Sequence, residues 1–175
     1  MDGFLHQANT ERNAGMIILT YLIDLFTSPI FLSTVLSWAM AQLVKYLLLR
    51  KKSSDMTAML LGGGMPSSHT ATVTGLAVST MIVCGTGGFE FTMALFFQII
   101  VIFDALNVRY QCGQIGKLLN HESETRNDSD PCLREVRKHP FKESMGHTLP
   151  EVIVGFFVGF IVAIIVTNLV CFLKG

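Results

Sequence analysis

"PEVIVGFFVGFIVAIIVTNLVCFL", residues 150–173, is the stretch that decides the fold of this chain. After Glu151 it contains no charged residue. A helix needs about 20 mainly apolar residues to cross the hydrocarbon core of a bilayer. The stretch therefore predicts a transmembrane helix and a membrane as the solvent of the protein.

Three more segments are long and apolar enough to cross the bilayer: 29–49, 66–84 and 89–108. The second is rich in Thr, Ser, Ala and Gly, which suits a helix packed inside a bundle. Two shorter apolar segments, 14–26 and 110–120, are expected to form interfacial helices. We therefore predict an all-α, polytopic membrane helical bundle with about four transmembrane helices and one or two short interfacial helices.

The composition agrees with one membrane-embedded domain, because half of the 175 residues are hydrophobic and only 15% are charged. Residues 1–28 are predicted to form an N-terminal tail and a short apolar helix, and residues 29–175 the membrane domain. Within it, the polar stretch 121–140 is predicted to be a solvated loop with little fixed structure. The net charge of zero gives no reason to expect a nucleic-acid partner. The four cysteines fit no zinc or disulfide pattern and are expected to be free thiols.

The lysines and arginines are distributed unevenly between the two faces of the predicted bundle. Ten of the 13 fall on one face, whereas the opposite face receives only Arg12 and Lys174, and Lys45 lies within the first span. By the positive-inside rule the basic face is cytoplasmic or its organellar equivalent, with both termini on the other side. A phosphate-binding site on that face would gather the same basic residues.

The conspicuous polar residues in or beside the spans all fall on this basic face. Lys45 lies near the end of the first span, and Asp104 and Arg109 lie at the end of the third. Ionisable residues at membrane depth are costly and usually pair or serve a site, so Lys45 and Asp104 are candidate functional residues. The alternative is that Lys45 extends to the membrane surface and that Asp104 pairs with Arg109.

The segment GGGMPSSHT, residues 62–70, leads into the second span. Its glycines, including Gly64, permit close approach of a ligand to the backbone, and Pro66 suits the first turn of a helix. Ser67 or Ser68 can cap that helix, whose N-terminus is then suited to an anion. The alternative is an ordinary helix cap beside an interfacial His69.

His147 precedes Glu151 by four residues near the start of the fourth span. At that spacing a carboxylate can reach the imidazole and keep one ring nitrogen protonated, which leaves the other nitrogen free to attack. Two histidines, a cluster of lysines and arginines and a glycine-lined helix start together suit phosphoryl transfer. No metal or cofactor is expected, because carboxylates are sparse near the two histidines.

Three segments carry a family resemblance: GGMPSSHTATV at 63–73, DALNVR at 104–109 and GHTLPEV at 146–152. They resemble the signatures of the divergent type 2 phosphatidic acid phosphatase family, also called acid phosphatase/vanadium-dependent haloperoxidase-related membrane proteins. The resemblance covers roughly residues 29–173. It implies that His147 forms a phosphohistidine, that His69 is the acid and then the base, and that Glu151 orients His147.

The resemblance also implies a set of phosphate-binding residues. Ser68 stands where the larger superfamily that contains this family has Gly. In the Asp-Ala segment of the family itself, Asn107 and Tyr110 replace the usual Gly and Arg. Asp104 is expected to support the site. The expected phosphate-binding residues are Lys45, Lys52, Gly64, Ser67, Ser68, Arg109 and Lys142.

The expected function is hydrolysis of a phosphomonoester or diphosphate of a lipid, with membrane lipids and a phosphorylated substrate as partners. The alternative is a non-catalytic membrane protein that binds anionic lipid head groups or supports a membrane complex. Vanadate-dependent halogenation is a third and more distant hypothesis. Gly155 and Gly159, spaced by four, additionally suggest a helix-packing face on the last span.

Overall fold

The computed structural model of the protein describes residues 16–49, 64–126, 130–143 and 145–174. The described residues include helices and no strand, which confirms the predicted all-α fold. A π-helical turn, Asp104–Val108, joins the helix Phe89–Phe103 to the helix Arg109–Thr125 without a break. The helices are α1 (Met16–Thr27), α2 (Pro29–Leu49), α3 (Ser68–Cys84), α4 (Phe89–Phe103), α5 (Arg109–Thr125), α6 (Pro131–Lys138) and α7 (Leu149–Lys174).

Three helical stretches of the described chain are long and apolar enough to cross a membrane. They are Pro29–Leu48, Phe89–Thr125 and Leu149–Lys174. Helix α3 is apolar but shorter, with 17 residues, and it packs against α2, α4 and α7. Most of its residues are buried, so the predicted interior position of this segment is confirmed.

Small side chains let the helices of the bundle approach one another closely. Ala41, Ala71 and Ala163 are fully buried. Gly155 and Gly159 of α7 lie directly against α3, where a Cβ atom would overlap with the carbonyl oxygens of Ser67 and Ala71. The helix-packing face predicted from these two glycines is therefore confirmed.

Polar side chains inside the bundle form hydrogen bonds between helices. The hydroxyls of Ser33 and Thr167 are 2.6 Å apart, and Gln98 Nε2 donates to Thr74 Oγ1 at 2.8 Å. The outward faces instead carry large apolar side chains such as Ile100 and Phe172, which are exposed. This arrangement suits a surface surrounded by lipid, and the protein is an integral membrane protein. All four cysteines are free thiols, as predicted.

The prediction that residues 121–140 form a loop is wrong for most of the stretch. Helix α5 continues to Thr125, and α6 forms after it. Asp130 caps α6 by accepting from the N–H of Cys132 at 2.8 Å, and Arg137 donates to the carbonyl oxygen of Ser123. These helices are stabilised by capping and by tertiary hydrogen bonds, and the absence of apolar periodicity therefore did not mark a loop.

Candidate functional site

The two histidines singled out in the sequence lie side by side at one end of the bundle. The ring centroids of His69 and His147 are 6.4 Å apart, and their ring planes are inclined by 55°. His147 is buried, whereas His69, in the first turn of α3, is exposed. Both imidazoles can therefore contact one small group bound beside them, and His69 is the one open to solvent.

Glu151 holds the imidazole of His147. Its Oε2 lies 3.0 Å from His147 Nδ1 and also accepts from the backbone N–H of Thr148 at 3.1 Å. The predicted contact across four residues is thus observed. With Glu151 ionised, Nδ1 carries the hydrogen of this bond and Nε2 keeps its lone pair.

The backbone of His147 is held as firmly as its side chain. Its N–H donates to the carbonyl oxygen of Ala105, in the π-helical turn, at 3.1 Å. The preceding residue, Gly146, has φ 83° and packs so closely on Tyr110 that a Cβ atom would overlap with the Tyr110 backbone nitrogen. Only glycine fits this position, since both the left-handed φ and the close contact exclude a side chain.

Ser67 connects the start of α3 to α7. Its Oγ accepts from the backbone N–H of Thr70 at 3.3 Å, which caps the helix, and its own N–H donates to the carbonyl oxygen of Glu151 at 3.0 Å. Ser67 is fully buried, so the structure assigns its hydroxyl to the cap and away from any surface that a phosphate can reach. Ser68 is also buried, at the first helical position.

Basic residues from three parts of the chain surround the histidines. Lys45 of α2 is buried, and Glu151 and Lys142 lie close enough to interact with it electrostatically. Arg109 and Lys45 both lie close enough to His69 to interact with it electrostatically. The described members of the sequence-predicted cluster therefore come from α2, the start of α5 and the segment that precedes α7.

Arg109 also forms an ion pair with Asp104, whose Oδ2 is 2.5 Å from Arg109 Nε. The pairing of Asp104 with Arg109, the alternative to a functional role for Asp104, is therefore present. The two side chains are about half and one third exposed, respectively. Arg109 is thus held by Asp104 and remains accessible. Lys52, the remaining predicted phosphate ligand, lies outside the described residues.

A cavity of about 290 Å³ opens beside His147 and Glu151. Gly64, one of the predicted phosphate-binding residues, is among the residues that line it. The other lining residues were not among the predicted site residues, although Gly146 and Thr148 belong to the segment GHTLPEV. They are Tyr110, Gln114, Glu143, Met145 and Thr148, together with Gly146.

The described part of the chain brings no three His, Cys, Asp or Glu side chains into a group that could hold a metal ion. The chemistry available at this site is that of two imidazoles, the carboxylates of Glu151, Glu143 and Asp104, and several basic side chains.

The fold and the site together define a polytopic membrane protein with a two-histidine, lysine-containing site at one end of its helical bundle. Residues 26–162 match the Divergent PAP2 family, and the chain belongs to this family. It is similar to "Uncharacterized membrane protein YuiD" of Bacillus subtilis (strain 168), with 29% identity over 154 residues, 82% of this chain and 96% of that protein. No solved structure matches the chain. The family resemblance inferred from the three sequence segments is thereby confirmed.

Proposed function

We propose that the protein is a membrane-embedded phosphatase that hydrolyses a phosphomonoester or diphosphate of a lipid through a phosphohistidine intermediate. One observation carries the proposal: His147 Nδ1 is held by Glu151 at 3.0 Å, and the ring of His69 lies 6.4 Å away from that of His147. Membership of the Divergent PAP2 family supports a relation to phosphatases. The roles of the individual residues are part of the proposal.

In the first step, the lone pair on His147 Nε2 attacks the phosphorus atom. The bond from phosphorus to the leaving oxygen breaks, and protonated His69 gives its proton to that oxygen. Glu151 stabilises the positive charge that develops on the imidazole of His147. The products of this step are the free alcohol, or a phosphate ester from a diphosphate, and a phosphohistidine.

In the second step, neutral His69 removes a proton from water, and the water oxygen attacks the phosphorus. The bond from phosphorus to His147 Nε2 breaks and inorganic phosphate leaves. His69 is protonated again, and His147 is restored with its Nδ1–H on Glu151. One water molecule is consumed for each phosphoester or phosphoanhydride bond that is broken.

The charge on the transferred phosphoryl oxygens needs fixed positive partners. Lys45 and Arg109 are suited to this role because both interact electrostatically with His69, and Lys45 also interacts with Glu151. We assign Lys142 the same role because it lies close enough to interact with Lys45. The N-terminus of α3 at Ser68 adds a favourable helix dipole. We assign Lys52 the same role on the sequence resemblance alone.

A lipid substrate suits the position of the site in the bundle. His69 lies in the first turn of α3, and His147 comes just before α7. A site at the ends of membrane helices lies near the level of lipid head groups. We place this face, which carries most of the lysines and arginines, in the cytoplasm or its organellar equivalent.

The test is phosphate release by the detergent-purified protein from phosphatidic acid and from isoprenyl monophosphates and diphosphates. We expect His147→Ala and His69→Ala each to lower kcat by about 10²–10⁴-fold. The control His139→Ala, at an exposed histidine paired with Glu135, should leave the rate unchanged. Lipid binding without phosphate release from any of these substrates would favour the non-catalytic alternative.

A further inference from the structure

We propose that Asn120 is a positioning residue that fixes Lys142 at the phosphate site. The inference rests on the proposed function, since it assumes that a phosphate binds between the histidines and the basic residues. Asn120 belongs to neither of the sequence segments that carry the histidines. It lies on α5, in a part of the chain for which the sequence predicted no role.

Asn120 forms hydrogen bonds with the residues on both sides of Lys142, and these bonds are called the clamp below. Its Oδ1 accepts from the N–H of Phe141 at 2.9 Å, and its Nδ2 donates to the carbonyl oxygen of Phe141 at 2.9 Å. Nδ2 also donates to Glu143 Oε1 at 2.9 Å. Asn120 is buried, so three of its four hydrogen-bonding positions are used on these two residues away from bulk water.

The face of α5 that carries Asn120 is shaped to receive this segment. A Cβ atom on Gly113 would lie 2.6 Å from the carbonyl oxygen of Met145, and one on Gly116 would lie 3.1 Å from Phe141 Cβ. These glycines and Asn120 are spaced by three and four residues and therefore share one helix face. Residues 141–143, 145 and 146 contact α5 along this side, and Asn120 holds them there by hydrogen bonds.

The clamp acts on the phosphate site through Lys142. Glu143, the clamped residue that follows Lys142, lines the cavity beside His147 and Glu151. Lys142 itself lies close enough to Lys45 for the two charges to interact. His147 has its own hydrogen bonds to Ala105 and Glu151, whereas those of the Asn120 side chain go to Phe141 and Glu143. Loss of the clamp should therefore weaken phosphate binding and raise KM, while kcat falls much less.

A double-mutant cycle tests this assignment. Asn120→Ala, Lys142→Ala and the double variant are compared with the wild type for KM, kcat and, by calorimetry in detergent, the Kd of inorganic phosphate. We expect each single variant to weaken phosphate binding about tenfold, the scale of one charge-assisted hydrogen bond. The double variant should bind phosphate no more weakly than Lys142→Ala alone, because Asn120 acts through Lys142.

Two further variants sharpen the test. Asn120→Asp keeps the acceptor for Phe141 but loses both donated hydrogen bonds and faces Glu143 with a second carboxylate, so it should behave like Asn120→Ala. It replaces that variant if the alanine protein does not fold. Asn168→Ala removes an exposed amide that donates to the carbonyl oxygen of Ile164 and should change neither Kd nor KM.

The possible failures are distinguishable. Additive effects in the double variant, or a lower kcat with KM and Kd unchanged, would overturn the role of Asn120 and leave the phosphatase proposal intact. Coupled effects on phosphate binding in a protein without any turnover would support the role of Asn120 and overturn the phosphatase. A wild-type protein that binds no phosphate would contradict both.

Discussion

The backbone N–H of His147 donates to the carbonyl oxygen of Ala105 at 3.1 Å. This bond joins the segment before α7 to the π-helical turn between α4 and α5, which begins at Asp104 and ends just before Arg109. Local π-helical geometry within an α-helix often occurs at functional sites. The hydrogen bond to Ala105 fixes the main chain of His147, and the hydrogen bond from Nδ1 to Glu151 fixes its side chain.

Replacement of Gly146 should displace His147 from the position in which Ala105 and Glu151 hold it. Gly146→Ala places a Cβ atom against the Tyr110 backbone and strains a residue at φ 83°, so we expect phosphatase activity to fall by at least tenfold. Backbone strain of this kind costs about 1–3 kcal/mol. Gly85→Ala is the matched control, because Gly85 has φ 78° and a Cβ there meets nothing within 4 Å. Equal activity losses in the two variants would show that strain alone, and not contact with Tyr110, is responsible.

Glu151 should act through the charge it places on His147 as well as through its hydrogen bond. Glu151→Gln can retain the hydrogen bond to Nδ1 but loses the negative charge, and we expect kcat to fall by about 10²-fold or more. Glu151→Ala removes both and should lower kcat further. Steady-state phosphate release measures both values. A Gln variant with wild-type kcat would show that the negative charge has no part in the reaction.

The close contact between α7 and α3 should be sensitive to a single methyl group. Gly155→Ala directs a Cβ atom at the carbonyl oxygen of Ser67, the capping residue of α3. Overpacking of a well-packed interior costs about 1–3 kcal/mol, so the thermal unfolding midpoint in detergent should fall. Gly87→Ala introduces a methyl group with nothing within 4 Å and should leave the midpoint unchanged. An unchanged midpoint for Gly155→Ala would contradict the described packing.

The orientation in the membrane has an independent test. Asn127-Asp128-Ser129 is a glycosylation sequon that lies outside the described residues. The positive-inside rule places it on the cytoplasmic side, so we expect no glycan on it in a secretory-pathway host. A mobility shift that is removed by a glycosidase and absent from Asn127→Gln would reverse the orientation.

The apolar helices and the meeting of the two histidines could be predicted because both follow from local properties of the sequence. Length and hydropathy mark the segments, and helices that follow one another across a membrane bring alternate ends to the same face. His69, His147 and Lys45 all lie near such ends. Their convergence therefore required no knowledge of detailed packing.

The face of α5 that receives residues 141–143 and 145 could not be predicted in the same way. Gly113, Gly116 and Asn120 have no distinctive local pattern, and their importance comes from contacts with residues more than 20 positions away. The helix at 131–138 was not predicted for a related reason. It is stabilised by the Asp130 cap and by the hydrogen bond from Arg137 to Ser123, and not by an apolar face that the sequence pattern could show. Capping and tertiary contacts outweighed composition there.

The most direct test of the central claim is chemical trapping of the phosphoryl group on His147. An aryl phosphate with a radiolabelled phosphoryl group is suitable, because its good leaving group does not need a proton from His69. After rapid denaturation in alkali, we expect acid-labile label on the wild type, more label on His69→Ala, whose hydrolysis step is impaired, and none on His147→Ala. Label of equal amount on His147→Ala, or turnover without any acid-labile label on His69→Ala, would contradict the account.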